Sequence, residues 1–134
     1  MTPRDFSAAE TREWLSHARQ DLDACKVLIE GGLPGEALFH AQQCAEKAMK
    51  ALLVWNGIPF KKTHDLEELR LACLPVAEVA TSQLDGIGNL SQYAWRFRYP
   101  GAPYVPDREE AEQAQKLAAD LFQAIRELLN SRMH

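Results

Sequence analysis

At 134 residues, with 46% apolar and 25% charged side chains, the chain has the make-up of a globular domain able to bury a core without metals or disulfides. Its net charge of −4 excludes a surface that attracts nucleic acid or anionic membrane as a whole, so such binding would need a local patch. No apolar run approaches the roughly 18–20 residues that cross a bilayer, and the opening MTPRDFSAAE has no apolar secretion segment, so the expected setting is cytoplasmic.

Strand signals are nearly absent, and helical periodicity recurs along the chain. SAAE predicts the first start, with Ser7 as N-cap and Glu10 completing a capping box. Trp14, Leu15, Ala18, Leu22, Cys25, Leu28 and Ile29 then follow at three- and four-residue spacings as far as Gly31-Gly32. A second helix opens near Pro34, a favoured first position, and closes at Asn56-Gly57. The loop IPFKKT leads to a short third helix in HDLEELRLACLP, stopped by Pro75. A fourth is expected from about Ser82 to Arg98, weakened by Gly86 and Gly88 and ended by Pro100. PGAPYVP is an extended or turn-rich loop, and Asp107 with Glu110 caps a last helix through Ala114, Leu117, Leu121, Ile125 and Leu128. The predicted fold is all-α: an up-and-down bundle of four to five antiparallel helices forming a single domain over residues 1–134. Cys25, Cys44 and Cys73 fall among apolar helical residues and read as reduced, buried thiols.

The second helix poses the functional question. On a wheel at about 100° per residue, Leu38, Ala41, Cys44, Ala45, Ala48, Met49, Leu52, Leu53 and Trp55 share one broad face. Ala41, Ala45 and Ala48 run down its centre and would let a partner helix approach closely. His40, Gln43, Lys47 and Lys50 share an opposite arc about 80° wide: a solvated face, or part of an anion site. From Lys47 to His64 there is no acid, yet Lys47, Lys50, Lys61 and Lys62 supply four of the six lysines. No acid occurs between Asp85 and Asp107 either, where Arg96 and Arg98 lie. Brought together, these groups would hold phosphate, arginine by forked hydrogen bonds and lysine as a point charge.

YAWRFRYPGAPY interleaves Tyr93, Trp95, Phe97, Tyr99 and Tyr104 with Arg96 and Arg98, a pattern suited to base stacking with phosphate contact. Aromatics and arginine are equally the residues of a bundle plug or a dimer interface. That packing role is assigned to Trp95 and Phe97, and the ligand role to Arg98 and Tyr99. Glu13 with His17 and Glu36 with His40 are i,i+4 pairs, but di-metal bundles use Glu-x-x-His, so no metal site is expected. No phosphate-cradling glycine loop and no nucleophile elbow is present. His64 has the ordinary pKa for acid–base work but no partner legible in the sequence.

The stretches ARQDLDAC, ALFHAQQCAEKAMKALLVWNGIPFKKTHDLEEL and QYAWRFRYP together resemble the HEPN domain (higher eukaryotes and prokaryotes nucleotide-binding), from about Trp14 to Leu129. The resemblance implies a bundle of four or five helices, commonly dimeric. Many HEPN proteins are RNases, often toxins, using an Arg-x4-6-His motif pooled across the dimer; others pair with a small nucleotidyltransferase or bind nucleotides without cleaving. Arg96 and Arg98 have no histidine at that spacing, because YPGAPYVP follows. Arg12 and His17 match it formally, but five helical residues turn about 140° more than a full turn, so the two side chains diverge. The expectation is therefore a non-catalytic module without a cofactor, binding nucleotide or RNA phosphate through Gln43, Lys47, Lys50, Lys61, Lys62, His64, Arg96, Arg98 and Tyr99. Its expected partners are a second copy and a nucleotidyltransferase. The alternatives are a metal-independent RNase using His64 and Arg98, and a structural interaction module.

Overall fold

Helix α1 (Pro3–Glu30) is capped by Thr2, whose hydroxyl accepts from the Asp5 amide at 3.2 Å while the Asp5 carboxylate accepts from the Thr2 amide at 2.9 Å. The start expected at Ser7 is thus corrected: Thr-Pro-Arg-Asp satisfies the same capping rule earlier, with Pro3 at the first helical position. The structure is a computed structural model that describes residues 2–63, 65–90 and 105–133.

Helix α2 (Pro34–Trp55) follows a tight connection and ends as expected at Asn56-Gly57. Gly57 adopts φ +67°, and the Ile58 amide donates back to the Leu53 carbonyl at 2.9 Å, closing the helix end as a Schellman turn. Helix α3 (Leu66–Cys73) is capped by Asp65, which accepts from the Glu67 amide. Pro75 does not terminate the chain's coiling: it sits inside a 3₁₀ turn, Leu74–Val76, followed by a second, Glu78–Ala80. At the start of the second turn Glu78 takes φ +47°, the one positive value at a non-glycine among the described residues, at a cost of order 1–3 kcal/mol.

The continuous fourth helix expected from Ser82 is also corrected. Helix α4 spans only Thr81–Leu84; Asp85 is extended, Gly86 turns left-handed at φ +79°, and a 3₁₀ turn occupies Ile87–Asn89. Glycine bears that left-handed conformation without a Cβ penalty, which is why the periodicity breaks there. The remainder of that expectation, with Tyr93 to Tyr104, lies outside the described residues. Helix α5 (Arg108–Arg132) starts where predicted, the Asp107 carboxylate accepting from the Glu110 amide at 2.8 Å. Among the described residues there are five α-helices and no strand, the predicted all-α bundle.

Helix α2 is the centre of this bundle, packed by α1, α5 and α3. Ala41, Ala45 and Ala48 are wholly buried, as are Leu38, Met49 and Leu53 to within 1%. Leu121, Ile125 and Leu129 of α5 and Leu66 and Leu69 of α3 close the same core. No described helix is long and apolar enough to cross a membrane.

All three cysteines are free and lie in this core. Burial pushes the Cys25 thiol up to about 11 and Cys73 up to about 12. Cys44 is raised as well, by burial first and then by the nearby charge of Asp21. A buried thiol keeps its proton where the unfolded chain's thiol, near 9.0, has lost it, so the folded state holds more protons above that pH. Stability should accordingly be unaffected by these groups below about pH 9 and fall as pH rises through their folded values. Urea midpoints at about pH 8 and about pH 10 would show the drop, and Cys25→Ala/Cys73→Ala should make it shallower.

Candidate functional site

The polar arc of α2 faces helix α1 rather than open water. Asp21 of α1 accepts from Lys47 Nζ at 2.6 Å, and its other oxygen lies 2.9 Å from His40 Nδ1. One turn further along, Lys50 Nζ donates to Glu46 at 3.1 Å in a pair whose side chains are only 8% and 3% exposed. Glu46 also accepts from Gln42 at 3.2 Å, and Gln42 accepts from Gln43 at 2.9 Å. His40 and Lys47 are thus tied to Asp21, while Lys50 and Gln43 join a second set through Glu46 and Gln42, so the arc expected as a solvated face or part of an anion site is engaged within the fold. The physical cause is the central place of α2, which sets these side chains beside α1 and leaves them only partly exposed.

Lys50 is held by aromatics as well. Its ammonium lies 5.4 Å from the Trp14 ring centroid and 5.6 Å from that of Phe60, within cation–π range. Trp14 and Phe60 meet edge to face at 6.5 Å. This cluster fixes the root of the loop that carries Lys61 and Lys62. Both lysines are exposed, and neither forms an ion pair among the described residues. Beyond them, Asp65 turns inward on its own helix cap, and Thr63 donates to Glu68. Trp14 also lines a cleft of about 260 Å³ with Glu10, Glu13 and His17.

Of the nine expected site residues, the structure brings Gln43, Lys47 and Lys50 together on α2 and leaves Lys61 and Lys62 on the surface. His64, Arg96, Arg98 and Tyr99 lie outside the described residues. The sequence reading missed Asp21, Glu46, Trp14 and Phe60 as the partners of the lysines. Glu46–Lys50 was legible, since i,i+4 carboxylate–lysine pairs meet on a helix. Asp21 carries no such signal, because its contact crosses between two helices.

The fold and charge placement define an all-helical bundle domain with an internalised polar seam and an exposed cationic loop. The chain belongs to the HEPN family: the HEPN domain model matches residues 11–128. A relative from Methanocaldococcus jannaschii, named "Putative toxin MJ1304", is 26% identical over 98% of this chain and 96% of its own length. The crystal structure of TT1696 from Thermus thermophilus superposes with a TM-score of 0.71 at 33% identity, covering 87% of this chain and 96% of that one. ST0689, described as an archaeal HEPN homologue, does so with a TM-score of 0.68 at 25% identity, covering 88% and 96%.

The polar seam makes a stability prediction. Lys50→Ala removes the ammonium and stem packed among Glu46, Trp14 and Phe60 and should lower the unfolding free energy by about 1.5–3 kcal/mol, as read from urea denaturation. Lys50→Met keeps the stem without the charge and should recover part of that loss.

Proposed function

We propose that this HEPN protein is the toxin-like member of a two-protein pair, holding nucleotide or RNA by its phosphates rather than cleaving it. The working form in this reading is a homodimer beside a small nucleotidyltransferase. The observation that carries it is the Lys61–Lys62 step: two exposed lysines, without a carboxylate partner among the described residues, on a loop rooted by Phe60 against Trp14. An anion approaching that loop meets positive charge not already spent inside the fold. His64, Arg96, Arg98 and Tyr99 are the proposed remaining contacts, arginine supplying forked donors and Tyr99 a stacking face. Lys47 and Lys50 take a supporting role in this assignment, holding α1 and the loop root in place.

Two features favour binding over cleavage and a toxin-like pair over an isolated domain. The arginines are followed by Tyr99 and Pro100 instead of a histidine at the RNase spacing. The relative that matches nearly the whole chain carries a toxin name.

Fluorescence anisotropy with a short labelled RNA, and with ATP as competitor, tests the proposal at low and moderate salt. Lys61→Ala/Lys62→Ala should weaken RNA binding and flatten the log–log salt slope by about 1.4, the value for two lost phosphate contacts on a single strand. Lys116→Gln, in an exposed pair with Asp120 on α5, should leave the affinity unchanged. Absence of saturable binding, or an unchanged slope in the double variant, defeats the proposal, and cleaved RNA after long incubation would transfer it to the RNase class.

A further inference from the structure

One end of the bundle contains a second cationic environment, apart from the Lys61–Lys62 loop. The start of α1, the ends of α2 and α5 and the 3₁₀ turn Glu78–Ala80 enclose a cavity of about 290 Å³. Its polar lining is Arg4, Asn56, Glu78 and Arg132, and its apolar lining includes Val76 and Leu128. The Arg4 guanidinium lies 3.4 Å over the Trp55 ring and donates through Nη1 to the Trp55 carbonyl at 2.8 Å. Guanidinium has five N–H donors, and Arg4 has no carboxylate partner among the described residues. Arg132 is paired, donating through Nη2 to the Glu78 carboxylate.

Glu78 is the unusual member. Its φ of +47° is a conformation that a non-glycine residue rarely holds. The Arg132–Glu78 pair is about half exposed on each side, and exposed pairs are weak and screened. Such a pair does not by itself account for a strained backbone. Glu78 lines the same cavity as both guanidiniums and occupies one of them, Arg132, as an internal anion.

We propose that this cavity binds a small organic anion, an oxyanion group on an apolar body. The ligand's oxyanion replaces the Glu78 carboxylate on Arg132 and takes the spare donors of Arg4, while its apolar body lies against Val76 and Leu128. Because α2 and α5 end here while α1 starts here, the helix dipoles oppose one another, and the apolar body supplies contact that a bare inorganic anion lacks. The volume fits a ligand of small-molecule size and not a polymer.

NMR titration following the Trp55 indole N–H resonance, assigned with Trp55→Phe, tests the assignment. The probes are phenyl phosphate, benzoate, inorganic phosphate and benzyl alcohol. Phenyl phosphate or benzoate should give a saturable shift, with inorganic phosphate about tenfold weaker and benzyl alcohol silent. Glu78→Gly, which removes both the internal competitor and the strained side chain, should tighten binding about tenfold, whereas Arg132→Gln should loosen it by a similar factor. Lys61→Ala/Lys62→Ala should leave this titration unchanged, which separates the cavity from the loop. No shift at Trp55, equal binding of inorganic phosphate, or no tightening in Glu78→Gly overturns the proposal. The Glu78→Gly arm decides alone if Arg132→Gln does not fold.

Discussion

A helix surrounded on nearly every side must find partners for its charges within the protein, and α2 is in that position. With α1, α5 and α3 packed around it, its alanine face meets close neighbours and its polar residues meet other side chains before they meet water. Lys47 reaches across to Asp21, and Lys50 turns back to Glu46. These pairs are not a large net source of stability, since desolvation offsets much of their attraction. Their effect is positional: Asp21 engages two α2 residues at once, which fixes the register of α1 against α2.

That register carries outward to the surface. Lys50 sits between Trp14 of α1 and Phe60 of the following loop, so one buried ammonium links the two helices to the loop root. The loop's exposed lysines therefore project from a braced base. Among the described residues, several basic groups are answered by nearby acids, as in the Arg19–Asp23, Arg70–Glu67 and Arg108–Glu112 pairs. Lys61 and Lys62 are adjacent in the chain, and the acids that follow them are engaged elsewhere: Asp65 caps α3, and Glu68 accepts from Thr63.

The fold was readable because its signals are local. Caps at Asp65 and Asp107, the proline at the start of α2 and the Asn56-Gly57 stop each act within a few residues, and periodicity does the rest. The errors fell where two local signals competed. Thr2 and Ser7 both offer a capping box, and the earlier one prevails with a proline behind it. Ser82 to Arg98 has helical periodicity, yet Gly86 turns left-handed and interrupts it. The candidate site was less legible because its decisive contacts are long-range. An acid-free interval in sequence says nothing of an acid on a neighbouring helix, and Asp21 lies 26 residues from Lys47. The wheel located the arc of α2 but could not show that α1 covers it.

The two cationic places differ in the kind of anion each can hold. On the loop the lysines are exposed, so phosphate binding proposed there would draw on weak, screened contacts and would suit a polymer. At the bundle end, Arg4 is held on an indole face and Arg132 meets Glu78, in a cavity with a mainly polar lining and apolar contact at Val76 and Leu128. Fixed donors in a small enclosure favour shape and a single oxyanion over charge density. Arg4 belongs to α1 and stacks on the end of α2, the two helices whose register the Asp21 contacts set. An anion drawing on Arg4 would therefore act on the α1–α2 interface that also positions Trp14 and the loop root.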